Sequence, residues 1–276
     1  MRARPMSGLM LLLTLVAAMT TAMAAQAADG PVSIETLLPE MIDMERLATP
    51  FDPDLECDQH SSYDRASTAP DEEGWFANGD AGKFIREETN DGRTEFVMAE
   101  MDGPGTIFRI WSANPDGGGT IRFYIDGDDE PELEADFLAL TTAQVDGFPA
   151  PFSGRRAMGA NLYYPIPYAE SCKVTVDKPS LYYIFDYRTY PEGTEVESFT
   201  MGAVMENRDL ADEIGSVLAD PNQPVGDRFT VAQGPIPLSL KADGGIAVLP
   251  EFRGPAAISR LEVKIESPEW VHEGPA

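Results

Sequence analysis

The 276-residue sequence predicts an all-β chain folded as a β-sandwich, followed by the start of a second, incomplete one. Short runs alternate apolar and polar residues, as at Ile121, Phe123 and Ile125 against Arg122, Tyr124 and Asp126. That period of two marks a strand with one face buried. The 24 glycines and 23 prolines gather between such runs, where they turn the chain. Near the C-terminus, Phe252-Arg-Gly-Pro-Ala-Ala-Ile-Ser-Arg260-Leu-Glu-Val-Lys-Ile265 echoes Met101-Asp-Gly-Pro-Gly-Thr-Ile-Phe-Arg109-Ile. The echo suggests a duplicated unit, whose second copy begins near Asp227 and is cut off at Ala276.

Residues 1–27 read as a secretory signal: Arg2 and Arg4, an apolar run from Leu9 to Ala18, then small residues ending Ala25-Gln26-Ala27. A membrane span needs about 20 apolar residues, so the expected location is secreted or periplasmic, without membrane attachment after cleavage. An N-terminal anchor is the alternative. The formal charge of −27 repels nucleic acid and anionic lipid. It is either a solvated acidic shell or a face for cations or a basic partner. The expected organisation is a first sandwich with an N-terminal helix at 28–205, a helix and linker at 206–226, and the truncated second unit at 227–276.

Taken in order, Ile34, Leu37, Leu38, Met41 and Ile42 recur at helical spacing after Ser33, a candidate N-cap, with Pro39 placed to split the helix. Cys57 to Arg65 and Asp71 to Asp80 are polar and aperiodic, and read as loops. Phe96 to Met101 is a strand. In Thr106 to Ser112, Phe108 and Ile110 point one way and Ile107, Arg109 and Trp111 the other. Asn114-Pro-Asp-Gly-Gly-Gly119 predicts a hairpin to the strand at 121–125, and with Phe96 to Met101 a three-stranded meander. Asp126-Gly-Asp-Asp-Glu-Pro131 lacks calcium-loop spacing and reads as a charged turn. Leu133 to Leu140 is amphipathic, and 148–168 reads as an ordered loop over a sheet edge.

Cys172, Val174 and Val176 form a strand face, as do Tyr183, Phe185 and Tyr187 opposite Asp186 and Arg188. Cys57 and Cys172 are either a bridge or two free thiols. Leu210, Ile214, Val217 and Leu218 stripe a helix ended by Asp220-Pro221. Phe229 to Leu240 and Ile246 to Leu249 read as strands. Neither His60 nor His272 has metal-ligand spacing, and there is no nucleophile elbow; no metal or cofactor is expected.

Six residues are candidates for sugar contacts: Tyr63, Asp64, Arg65, Trp75, Arg109 and Trp111. Flat aromatics beside planar cations suit a polyhydroxylated ring, and loops on a rigid β scaffold carry binding residues. Structural readings compete with this one. Trp111 could fill the core with Arg109 in an ion pair, and the Tyr63–Arg65 segment could be an internal network holding a loop down.

Several motifs in order resemble one family: SSYDR at 61–65, GWFANGDAGKFIR at 74–86, EFVMAEMDGPGTIFRIWSANP at 95–115, RFYIDG at 122–127, NLYYPIPYAESCKVTVD at 161–177 and DYRTYPEGTEVESF at 186–199. They are similar to the domain-of-unknown-function family 2961, also called glycoside hydrolase family 172. The resemblance implies tandem jelly-roll sandwiches, assembly into homo-oligomers, and activity on α-D-arabinofuranosides or α-D-fructofuranosides. It also implies catalytic carboxylates in the second sandwich, one of them in a Gly-Thr-Gly-Thr-Glu-Asp-Tyr type segment that this sequence lacks. No catalytic residue is therefore expected in this chain.

Two functions follow as expectations. One is the N-terminal part of an exported, α-furanoside-cleaving enzyme, inactive alone and completed by a C-terminal half. The other is a stand-alone sandwich that binds an oligosaccharide or glycan, or assembles with partners, without catalysis.

Overall fold

The computed structural model describes residues 30–43, 46, 50 and 53–220. The expected signal segment, the expected linker from Pro221, the strands expected at 229–240 and 246–249 and the Gly-Pro echo at 254–255 lie outside the described residues. Among the described residues, eleven strands form two antiparallel sheets.

The first sheet holds β1 (Glu56–Ser61), β11 (Tyr183–Thr189), β4 (Gly105–Ser112), β8 (Gly159–Leu162) and β7 (Ser153–Arg156) in that order, and β9 (Ile166–Tyr168) also pairs with β4. The second runs β2 (Arg86–Asn90), β3 (Arg93–Asp102), β10 (Ser171–Val176), β5 (Thr120–Ile125) and β6 (Leu133–Asp136). Their inner faces meet in one core. Ile107, Ile110, Leu162, Tyr183 and Phe185 come from the first sheet, and Met98, Ala99, Ile121, Phe123, Val174 and Val176 from the second. The alternation expected for 183–187 is observed, whereas at 121–125 Arg122 and Tyr124 on the outer side are buried as well as Ile121, Phe123 and Ile125, because they pack with the buried Glu95.

The expected hairpin and meander do not form. β3 and β5 lie in the second sheet and β4 in the first, so the chain changes sheets at both connections. The turn at Pro115–Gly117 packs instead on the connection between β10 and β11. Lys178 and Ser180 donate backbone N–H groups to Gly118 and Gly117 (3.0 and 3.3 Å), and the Asn114 amide donates to Ser180 O (2.9 Å). A Cβ on Gly117 would come within 1.8 Å of Ser180 O, so glycine here lets two arches touch. The run β3–β4–β5 is thus paired along its length with β9–β10–β11. The two runs cross between sheets together, as in the winding of a jelly roll.

Two further differences bear on the site. Opposite Asp186 and Tyr187, β4 supplies Arg109 and Ile107, leaving Phe108 as an extra, bulged residue. The bulge turns Ile107 inward beside Ile110, rather than outward with Arg109 and Trp111. The segment 148–168 is not a loop but contains β7, β8 and β9. Three or four residues between Pro and Gly are too few to show a period.

α1 (Ile34–Glu40) is capped by Ser33, whose hydroxyl accepts from Thr36 N (3.3 Å), and Pro39 sits within it without splitting it. α3 (Met201–Glu206) and α4 (Arg208–Ala219) extend the helical region upstream of the expected start. Ala211 and Ile214 face the core, whereas Leu218 is exposed. α2 (Phe137–Leu140) follows β6 directly, capped by Asp136. Among the described residues, no helix is long and apolar enough to cross a membrane.

Candidate functional site

The outer face of the first sheet collects most of the candidates. Register places Gln59, Asp186 and Arg109 side by side across β1, β11 and β4. Asp186 joins them: its carboxylate accepts from Arg109 Nη1 and from Gln59 Nε2, each at 2.9 Å. One row along, Trp111 lies between Ile184 and Asn161. Its indole lies across β8, because a Cβ built on Gly159 would sit 2.0 Å from Trp111 Nε1 and 2.7–3.0 Å from its ring carbons. Neither Trp111 nor Arg109 is in the core; both are partly exposed on the sheet surface. Strand alternation, which sets Arg109 and Trp111 on one face, and the missing side chain at Gly159 together give a flat aromatic beside a cation oriented by Asp186.

Tyr63, Asp64 and Arg65 follow the end of β1. The β1–β11 pairing continues through Ser62, whose N–H donates to Tyr183 O (3.1 Å). Tyr63 is 53% exposed, and the Arg65 guanidinium stacks 4.1 Å from its ring centroid while also donating to Tyr63 O. Asp64 is committed to holding a loop. It accepts N–H groups of Ala66 (3.1 Å) and Gly79 (2.9 Å) and lies 3.7 Å from Lys83 Nζ. The Ala66 amide above all, with the Gly79 amide and the Lys83 charge, holds its carboxyl below the usual range. Trp75 stands on the loop so closed, its ring meeting Phe76 edge-on at 5.6 Å.

The structure thus brings Arg109 and Trp111 together, sets Tyr63 and Arg65 as a stacked pair, and leaves Trp75 with Phe76. Asp186, Gln59 and Gly159 escaped the sequence reading. Asp186 was recognisable only as the polar side of an alternating strand, and Gly159 carried no signal at all.

His60 and Asp126 serve the scaffold. His60 stacks on Tyr187 (5.3 Å) and meets Glu100 O (3.1 Å), tying β1 to β3; burial lowers its pKa. Asp126 accepts N–H groups of Glu170 (2.7 Å) and Ser171 (3.1 Å) and the Ser198 hydroxyl, which fits the charged turn expected there. Among the described residues no group of His, Cys, Asp and Glu is arranged to hold a metal ion.

A family model described as the GH172 first beta-sandwich domain matches residues 53–207, more than half of the chain. Among curated proteins none matches it. The matched span takes in all eleven strands and both halves of the outer-face site. With the two-sheet fold and the ordered motifs, that match makes the chain a member of the GH172 glycoside hydrolase family.

Proposed function

We propose that this chain is an exported carbohydrate-active protein acting in α-furanoside breakdown, and that its first sandwich binds the glycan without cleaving it. The observation that carries this is the pair on the outer face of the first sheet, with Trp111 lying over Gly159 and Arg109 oriented by Asp186. An indole face takes the C–H surface of a sugar ring, while the remaining guanidinium donors reach its hydroxyls.

The carboxylates argue against turnover within this sandwich. Glycoside cleavage uses two, about 5–5.5 Å apart for retention or about 6.5–9.5 Å for inversion, one of them an acid with a raised pKa. Asp186 is bound to Arg109 and Gln59, and Asp64 has its pKa lowered rather than raised. The acid and nucleophile then come from a second sandwich or a partner chain, and association into oligomers belongs to the same reading.

The test is to titrate the purified, signal-free chain with aryl α-D-arabinofuranoside and α-D-fructofuranoside, following tryptophan fluorescence and sugar release. Saturable binding is expected, lost in Arg109→Ala and Trp111→Ala, with no detectable free arabinose or fructose. Loss of one essential catalytic group costs a factor of roughly 10⁴ or more, so robust hydrolysis by the lone chain would overturn the reading. Mass spectrometry of the exported protein should place its N-terminus within a residue or two of Ala28; retention of Met1 would remove export from the proposal.

A further inference from the structure

Beyond Ser62 the outer face of the first sheet does not end. Ser61 opposes Ile184 as the last paired residues, Ser62 donates to Tyr183 O, and Tyr63 and Tyr182 are the residues that follow on the two segments. Tyr183 turns inward, hydrogen-bonding Lys83 O (2.8 Å), and its neighbour Tyr182 points outward, 42% exposed. Tyr182 is held there by its own backbone, whose N–H donates to Asn114 Oδ1 (3.0 Å). The Arg65 guanidinium stacks on Tyr63. The face therefore carries Tyr63 and Tyr182 at one end, Trp111 midway in the row of Ser61 and Ile184, and the Gln59–Asp186–Arg109 row at the other end.

The separation decides what can lie there. From the Tyr63–Tyr182 pair to the Gln59–Asp186 row is four residues along β1, about 13 Å at 3.3 Å per residue. That exceeds one sugar ring. The row between holds Ser61, Ile184 and Trp111, all partly exposed.

We infer that this face takes an extended glycan chain of several rings, laid across the first sheet from Arg109 past Trp111 to Tyr63 and Tyr182, rather than a single terminal sugar. The inference rests on the proposed glycan-binding role and adds Tyr182 as a binding residue. Each of the three rows contributes its own contact, so affinity grows with chain length until all are covered.

The experiment measures binding of the signal-free chain to α-D-arabinofuranose oligomers, from monosaccharide to hexasaccharide, by calorimetry and two-dimensional NMR. Affinity should rise at least about tenfold, equivalent to 1.4 kcal/mol, before levelling off. The Tyr63 and Tyr182 amides should shift only with the longer oligomers. Tyr182→Ala and Tyr63→Ala should bring the hexasaccharide affinity down towards that of the shortest ligand bound, with the NMR spectrum confirming that each variant is folded. Equal affinity at all lengths, or a length gain that survives both substitutions, overturns the extended-chain inference and leaves glycan binding standing. Absence of binding at every length overturns both.

Discussion

Asp64 illustrates how a residue picked for ligand chemistry can be consumed by the scaffold. It sits between Tyr63 and Arg65 in a motif that reads as a sugar contact, yet its carboxylate is spent on the Ala66 and Gly79 amides and on Lys83. Its folded pKa is lowered. The loop contacts it makes are therefore fully present above the ordinary carboxylate value of about 4 and are lost as pH falls through the lowered folded value. Amide hydrogen exchange should show Ala66 and Gly79 protected at neutral pH and released on acidification. Asp64→Asn should weaken that protection at pH 7 and remove its acid dependence. Gly159 makes the complementary case, in which function rests on the absence of a side chain. A methyl group there would collide with the Trp111 indole. Gly159→Ala should cost about 1–3 kcal/mol in urea unfolding and expose the indole, shifting its emission to the red. No single-sequence rule marks that glycine, because what it accommodates is 48 residues away in the chain.

At the scale of elements, the strands were legible and their partners were not. Alternation identified β3, β4, β5, β10 and β11, since each sends one set of side chains into the core, although β5 is buried on its other face too and the β4 bulge reverses Ile107. Asn-Pro-Asp-Gly-Gly-Gly suggested a hairpin, because turn residues report that the chain bends, not which sheet it enters next. Likewise the bulge at Phe108, invisible in β4 alone, exists only against the register of β11. The outer face of the second sheet held a surprise of another kind. Glu95 is wholly buried there, accepting from Tyr124 (2.9 and 3.0 Å), Thr175 (2.7 Å) and Arg93 (3.2 Å), with Arg122 at 3.9 Å. A glutamate in an alternating strand reads as solvated, and only the long side chains of β5 and β10 explain its burial. Removing it takes this acceptor from Tyr124, Thr175 and Arg93, while Arg122 keeps Glu134 at 2.6 Å, so Glu95→Ala should destabilise by about 1–3 kcal/mol for each buried donor left unsatisfied, measured as a fall in urea midpoint at constant m. Glu88, partly exposed and paired with Lys173 (2.7 Å) and Arg86 (3.1 Å), should cost under about 1 kcal/mol when replaced by alanine.

Across the whole molecule, the paired winding of β3–β4–β5 with β9–β10–β11 joins residues far apart in sequence, so the core closes only when both runs are in place. The two cysteines report on this closure. The sequence left open whether they form a bridge, since it shows no distances. In the fold Cys57 is exposed on the edge strand β1, while Cys172 is buried in β10 between Met101 and Ile125. Both are free thiols, and burial pushes the Cys172 thiol well up from its ordinary value. A thiol reacts as its thiolate, so a raised pKa and lack of access act in the same direction. Ellman's reagent at pH 8 should therefore titrate one thiol per folded chain promptly and the second only at the rate of unfolding, with Cys57→Ser abolishing the fast phase. Because β10 lies between β3 and β5, the slow phase should follow the urea transition seen by far-UV circular dichroism. Two fast thiols would mean that the β10 side of the core opens on its own. No reactive thiol before reduction would mean a bridge, which a register placing Cys57 beside Arg188 and Cys172 between Met101 and Ile125 does not allow.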